Sequence, residues 1–419
     1  MAIFKLPPKQ YIHLTSNSGL RLRSDDERIT QLGQPACPLI VVESDEMFIP
    51  YVSQHSILIT VGASNTEITS DDLLALGRFE TLNAAVRAYL DCHSSSKISD
   101  RSRHVPIQRA ITLDMWLPNG QIAHNYADAI RLVKELAQRQ LGKGMLLYIP
   151  GWHAPYDTGY PAYKPSEALG GTQQFSDLIR IATDHGICVM PHLNFWAYDV
   201  SSSLLPDYMD YQVRDDEGKP MGWPGILRTG YTNPLAYMRI DDTRWQDVFF
   251  RFVEPLVTEL DIQALFLDQL SFNVPMAPAF DAALLSMLDR LLALKPNLLL
   301  GGEFIDERLF HRVRLFQSWG QPWCGVEQDF TDSFSPIVAM LFGNDLALIS
   351  HLGLPCATPC RYCWTNYPFI VQQGHKVAFK LAQEHRRAIG GLPHVRLDYN
   401  RFGIDDQSLA VLQENQGCD

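Results

Sequence analysis

The chain has 419 residues, 46% hydrophobic and 20% charged, the composition of an ordinary globular protein, for which disorder is not the default and a substantial core is possible. A formal net charge of −12 argues against nucleic acid or an anionic membrane as the main partner. No run approaches the ~18 apolar residues of a membrane span, and Pro7, Pro8, Lys9 and Gln10 interrupt any leader after Met1; the expectation is a cytoplasmic protein whose eight cysteines are reduced thiols.

Residues 1–105 are expected to form a small β-rich domain and linker. Short alternating stretches (Tyr11–Thr15, Leu39–Glu43, Ile57–Val61) sit between Ser-, Asn-, Gly- and Asp-rich turns, followed by one helix over Leu82–Cys92. The polar run His93–His104 is the expected linker. Residues 106–419 alternate strand and helix. Strands are expected at Ala110–Asp114, Met145–Ile149, Ile187–His192, Ala264–Asp268 and Leu298–Glu303, with weaker ones near Gly325–Glu327, Leu346–Ile349 and Val395–Leu397. Helices are expected at Tyr126–Leu141, Gln173–His185, Arg244–Leu260, Phe280–Leu294, Arg308–Trp319 and His375–Ile389. This α/β pattern fits a (β/α)8 TIM barrel behind the N-terminal domain. A doubly wound sheet is the alternative, but no nucleotide-binding glycine fingerprint follows the first strand.

The strand ends carry the chemistry. The first ends in Asp114-Met-Trp116, and the second is followed by Gly151-Trp152-His153-Ala-Pro-Tyr156-Asp157. The third gives His192-Leu-Asn194-Phe-Trp196, the fourth Asp268-Gln269, the fifth Glu303. Barrel enzymes build their sites at this rim, so five consecutive polar or aromatic endings favour an active site over a merely solvated edge. Asp268 follows four apolar residues and is the candidate nucleophile. Glu303 is the candidate general acid/base, since a carboxyl with a raised pKa protonates a leaving oxygen and later activates water. Neighbouring strand ends bring carboxyls close together, as retaining glycosidases require (roughly 5–5.5 Å). His192, Asn194 and Gln269 are candidates to bind sugar hydroxyls; Asp114, Trp116, Trp152, Tyr156, Asp157 and Trp196 are candidate pocket walls. Eight Trp and 16 Tyr suit stacking on sugar rings, although ordinary cores are aromatic as well.

The run Gly151-Trp-His-Ala-Pro-Tyr-Asp-Thr-Gly-Tyr-Pro161, then Leu169-Gly-Gly171 and Val189-Met-Pro-His-Leu-Asn194, resembles barrel glycosidases related to the endo-α-N-acetylgalactosaminidases and their exo-acting relatives. These families lie near the α-amylase clan. The resemblance covers roughly residues 110 to 310. It implies a retaining hydrolase of α-linked glycosides, with the nucleophile Asp after the fourth strand and the acid/base Glu after the fifth. Asp268 and Glu303 match in type, order and spacing. The arginine that α-amylase relatives carry two residues before the nucleophile is Phe266 here. Other α-glycosidases place the acid after the sixth strand, which makes Asp329, in Glu327-Gln328-Asp329, the rival to Glu303 and otherwise a candidate substrate contact.

Two further readings stay open: a non-catalytic carbohydrate-binding barrel and an iron–sulfur enzyme. Cys356, Cys360 and Cys363 form CxxxCxxC, a spacing that holds three irons of a cluster in radical S-adenosylmethionine enzymes. There the barrel follows the motif, and too little chain follows Cys363 to build one. The expectation is therefore a carbohydrate substrate, with no cofactor, no metal, no nucleic-acid partner and no membrane. The sugar, its linkage and the oligomeric state are not legible in the sequence.

Overall fold

The computed structural model describes residues 2–414 apart from 7–9, 16–19, 28, 30–36, 38, 54–56, 62–65, 93–106, 119, 224–233, 271–277, 304, 319–334, 343–345, 351–382, 384–385, 388–389 and 398–402. The expected linker, the Gly325–Glu327 strand, Asp329 and the three motif cysteines lie outside the described residues, as does most of the helix expected at His375–Ile389.

The N-terminal strands are β1 (Ala2–Leu6), β2 (Tyr11–Leu14), β3 (Leu20–Arg23), β4 (Leu39–Ser44), β5 (Met47–Val52), β6 (Leu58–Val61), β7 (Thr66–Ser70) and β8 (Leu74–Ala75). They form two antiparallel sheets, ordered β1-β7-β6 and β3-β2-β4-β5-β8. Side chains alternate between faces along a strand, and β4 uses both faces. Ile40 and Val42 join Ile12, Leu14, Leu22 and Ile68 in one core. Leu39 and Val41 point the other way, onto Ala85, Val86 and Tyr89 of α1 (Leu82–Cys92), and through them join the core of the remaining chain. His13 gives a polar tie on the same side: its ring nitrogens lie 2.8 Å from Ser335 Oγ and 2.9 Å from Glu43 Oε2.

The second half begins β9 (Arg109–Thr112), α2 (Tyr126–Gln138), β10 (Met145–Ile149), α3 (Gly171–Asp184) and β11 (Ile187–Asn194). A small antiparallel sheet follows, made of β12 (Ala197–Asp199), β13 (Gly222–Trp223) and β14 (Leu235–Tyr237) in the order β12-β14-β13. The alternation resumes with α4 (Thr243–Thr258), β15 (Ala264–Asp268), α5 (Pro278–Leu294) and β16 (Leu299–Glu303). It ends with β17 (Leu315–Ser318), α6 (Ile337–Phe342), β18 (Ala347–Ser350), β19 (His394–Arg396) and α7 (Asp406–Leu412).

Eight of these strands form one parallel sheet, ordered β18-β17-β16-β15-β11-β10-β9-β19. Each strand lies beside the next in sequence, and Leu392 N–H donates to the Leu348 carbonyl at 2.8 Å, drawing the two ends together. The fold is a (β/α)8 barrel. Local signals agree with it: α2 starts on a capping box in which Asn125 and Asp128 each accept the other's backbone N–H at 3.0 Å. Along β10 and β15, Leu147, Ile149, Leu265 and Leu267 pack outward on the helices. Leu146, Tyr148, Ala264 and Phe266 fill the barrel. That parity carries Asp268, two residues beyond Phe266, inward.

One element differs from expectation. The stretch read as a helix over Arg308–Trp319 holds a short 3-10 turn at Glu307–Leu309 and then the sixth barrel strand, β17. The apolar run there is too short to separate helical from strand period. Its surroundings decide: Leu315 joins the barrel interior while Phe316 joins the outer core. The bare backbone of Gly301 helps at this point, because a Cβ there would stand 3.0 Å from Leu315 Cδ2 of β17.

Candidate active site

The inward parity of the parallel strands puts Asp114, Tyr148, His192, Asn194, Asp268, Glu303, Gln317 and Arg396 at one end of the barrel. All but the partly exposed Arg396 are buried. The register explains the neighbours. Asn194 pairs with Asp268 across β11 and β15, Glu303 with Gln317 across β16 and β17, and Thr112 with both Tyr148 and Arg396.

Asp268 is held from two sides. Asn194 Nδ2 donates to its Oδ2 at 3.0 Å and to Gln269 Oε1 at 3.2 Å. Asn194 Oδ1 accepts from Trp196 N at 3.0 Å and Ala197 N at 2.8 Å. Both amide hydrogens and both oxygen lone pairs of Asn194 are thereby used. On the other side Asp268 stands beside the Glu303 carboxyl, which accepts the backbone N–H of Gln269 at 3.1 Å. Gln269 reaches that bond from a left-handed backbone, φ 55°, a conformation that costs a non-glycine residue roughly 1–2 kcal/mol. Burial, then the charge and hydrogen bond of Glu303, push Asp268 well above the usual carboxylate range. Two buried carboxyls in contact cannot both ionise cheaply, so the pair holds a proton.

His192 lies beside this pair. Its Nδ1 is 2.6 Å from Tyr148 Oη, and its Nε2 makes no hydrogen bond and stands 3.8 Å from Asp268 Oδ2. Burial holds its pKa down at about 3, so the ring is neutral near pH 7. A proton on Nε2 lets Tyr148 donate to Nδ1 and aims an N–H toward Asp268. Tyr156 packs on the same ring with centroids 4.9 Å apart. Asp157, itself left-handed at φ 60°, accepts from Trp223 Nε1 at 3.3 Å. Tyr237 of β14 lies beside Gln269, within the field of Asp268, Asp157 and Glu303. On the far side, Arg396 clamps Asp114 with Nε and Nη2, each 2.6 Å from a carboxylate oxygen.

The structure therefore gathers Asp114, Tyr156, Asp157, His192, Asn194, Asp268, Gln269 and Glu303. Two of the three tryptophans are packed into the core instead. Trp152 is fully buried, stacked on Phe175 at 5.1 Å, and its Nε1 donates to the His192 carbonyl at 2.9 Å. Trp196 is likewise buried, stacked on Phe280 at 4.9 Å. Trp116 bonds locally to the Gly120 carbonyl at 3.0 Å. Its backbone oxygen would lie 2.2 Å from any Cβ on Gly151, which also needs φ +68°. The packing aromatics hold the strand ends in place.

Tyr148, Tyr237 and Arg396 escaped the sequence reading. A polar-tipped Tyr148 at the inward parity of β10, and the one charge in Val395-Arg396-Leu397, were available signals. Tyr237 reaches the site through an inserted sheet and left none.

A barrel with converging carboxyls at the carboxyl ends of its strands is the class of architecture at hand. A family model described as a domain of unknown function, DUF6259, matches residues 84–283. No curated protein sequence matches. Among solved structures, the chain is similar to an α-N-acetylgalactosaminidase from Bifidobacterium bifidum at 11% identity and a TM-score of 0.63, covering 92% of this chain and 76% of that one. It is also similar to an α-galactosidase from Thermus thermophilus at 10% identity and a TM-score of 0.61, covering 98% and 87%. An α-galactosidase from Geobacillus stearothermophilus gives 13% and 0.56, covering 98% and 61%. At these identities the likeness shows the fold.

Proposed function

We propose that the chain is a retaining glycoside hydrolase acting on α-linked glycosides or oligosaccharides by double displacement. Asp268 attacks the anomeric carbon, and Glu303 protonates the departing oxygen and then activates water. The observation that carries this reading is the pair of buried carboxyls side by side on adjacent strands, which together retain a proton that double displacement passes between enzyme and sugar. Asn194 orients Asp268. His192, Asp157, Tyr156, Gln269 and Tyr237 are the groups placed to meet sugar hydroxyls. The names of the similar barrels make aryl α-galactosides and aryl α-N-acetylgalactosaminides the first substrates to test. Retention of anomeric configuration in the first-formed product, followed by NMR, tests the mechanism; an inverted product overturns it.

A second assignment of the acid reads the neighbouring carboxyls as mutual support rather than as the catalytic pair. On this assignment Glu303 steadies Asp268 and Gln269, and Asp329, after the sixth strand, gives the proton. Substitution of each acid in turn separates the two assignments.

A further inference from the structure

The imidazole of His192 is fixed by aromatic neighbours. Phe266 stacks on it with centroids 5.7 Å apart and 22° between planes, and Tyr156 packs at 4.9 Å. Its nitrogens then point where the packing sets them. Nδ1 lies 2.6 Å from Tyr148 Oη. Nε2 is buried, has no hydrogen-bond partner among the described residues, and stands 3.8 Å from Asp268 Oδ2. The neutral ring carries one proton, and the count of satisfied groups decides where it sits. With the proton on Nδ1, the Tyr148 hydroxyl hydrogen finds no acceptor among the described residues, and the Nε2 lone pair faces a carboxyl oxygen. With the proton on Nε2, Tyr148 donates to Nδ1 and the one donor left over faces Asp268. Buried polar groups without partners are costly, so the second arrangement is favoured. Burial, then the Asp268, Glu303 and Asp114 carboxyls, keep Tyr148 protonated and able to donate.

Resting on the glycosidase reading, we propose that Tyr148 and His192 are positioning residues for the nucleophile. Tyr148 fixes the tautomer of His192, and the Nε2–H so turned toward Asp268 Oδ2 favours the ionised form of that carboxyl. A donor beside the charged form stabilises it, and attack on the anomeric carbon needs the carboxylate. Asn194 Nδ2, 3.0 Å from the same oxygen, works in the same sense. Both oppose burial and Glu303, which hold the proton on Asp268. A shift of about 1 Å on ionisation brings Oδ2 within hydrogen-bond distance of Nε2. The other titratable groups in the field of Asp268 are Tyr156, Tyr160, Tyr163 and Tyr237, which burial keeps protonated. Asp114, Asp157 and Arg396 bear on these rings and on Tyr148.

Two measurements test this without turnover. Nitrogen NMR of the unaltered protein, with the His192 signals assigned by their loss in H192Q, should show the proton on Nε2 near pH 7. A proton on Nδ1 overturns the inference. Infrared spectra across pH follow the protonated carboxyl band that D268N removes. H192F should carry that band about one pH unit higher, and Y148F should move it in the same direction. H192Q, which can keep an N–H donor, should return it toward the original midpoint. An unmoved band in H192F overturns the inference, as does an equal shift in H192Q, the mark of a structural effect. Should H192F fail to fold, the tautomer and Y148F decide. With aryl α-glycosides the acid limb of kcat/KM should move with the band, and a limb that stays while the band moves removes the pair from catalysis. If no glycoside is cleaved, the hydrolase reading falls, while the tautomer and the band still decide whether His192 acts on Asp268.

Discussion

The backbone N–H of Gln269 donates to Glu303 Oε2 at 3.1 Å, while the neighbouring Asp268 carboxyl stands beside the same glutamate. One side chain thus reads both the turn after β15 and the acid that ends it. E303Q keeps an oxygen for the Gln269 N–H and removes the transferable proton. Turnover of alkyl glycosides should fall about 10²–10⁴-fold, and that of aryl glycosides with good leaving groups much less, because only the former need protonation. Kinetics on a leaving-group series checks this. Equal losses across the series would transfer the role to Asp329, and D329N should then show the graded pattern.

D268N should lower turnover of activated glycosides by on the order of 10³-fold or more, since a nucleophile has no substitute in double displacement. The fold should survive, because the asparagine amide relieves the repulsion between two buried carboxyls. A melting temperature equal to or above that of the unaltered protein, alongside the kinetic loss, is the expected pair of results. Undiminished turnover would remove Asp268 from the mechanism.

His192 sets a pH dependence of stability. Its pKa is lowered from 6.5 to about 3 by burial, so between those values the unfolded chain binds more protons than the folded one. Stability therefore rises with pH across that window, by on the order of several kcal/mol in full. Asp268 acts in the opposite sense. Its raised pKa keeps a proton on the folded chain above the ordinary value of 3.8, so its contribution falls as pH climbs from there. Urea midpoints measured across the acid range should show H192Q flattening the rise and D268N removing the fall. A profile unchanged in H192Q would mean that the ring titrates normally.

The barrel was largely legible because its strands are short apolar runs ended by polar residues, and parity then fixes which side chains point inward. Asp268 and Glu303 follow from that pattern alone. β17 was misread because Leu315 and Phe316 satisfy either period, and only contacts across the barrel settle which applies. Trp152 and Trp196 looked like sugar platforms from their place at strand ends. Their rings instead pack on Phe175 and Phe280, since a strand end offers an outer as well as an inner face. Arg396 and Asp114 are 282 positions apart, and no local signal pairs them.

Asn194 shows how much of the site is support. Its side chain accepts from the N–H groups of Trp196 and Ala197 and donates to Asp268 and Gln269, all within 3.2 Å and all buried. N194A would strand two backbone donors and remove a donor from Asp268. An unsatisfied buried group costs about 1–3 kcal/mol, so the variant should be destabilised by roughly 2–5 kcal/mol on the same scale, measured by urea unfolding. Because Asn194 acts through Asp268, kcat should fall while KM stays near its original value in whatever fraction remains folded. A rise in KM at constant kcat would instead place the amide against the sugar, which its four satisfied hydrogen bonds argue against.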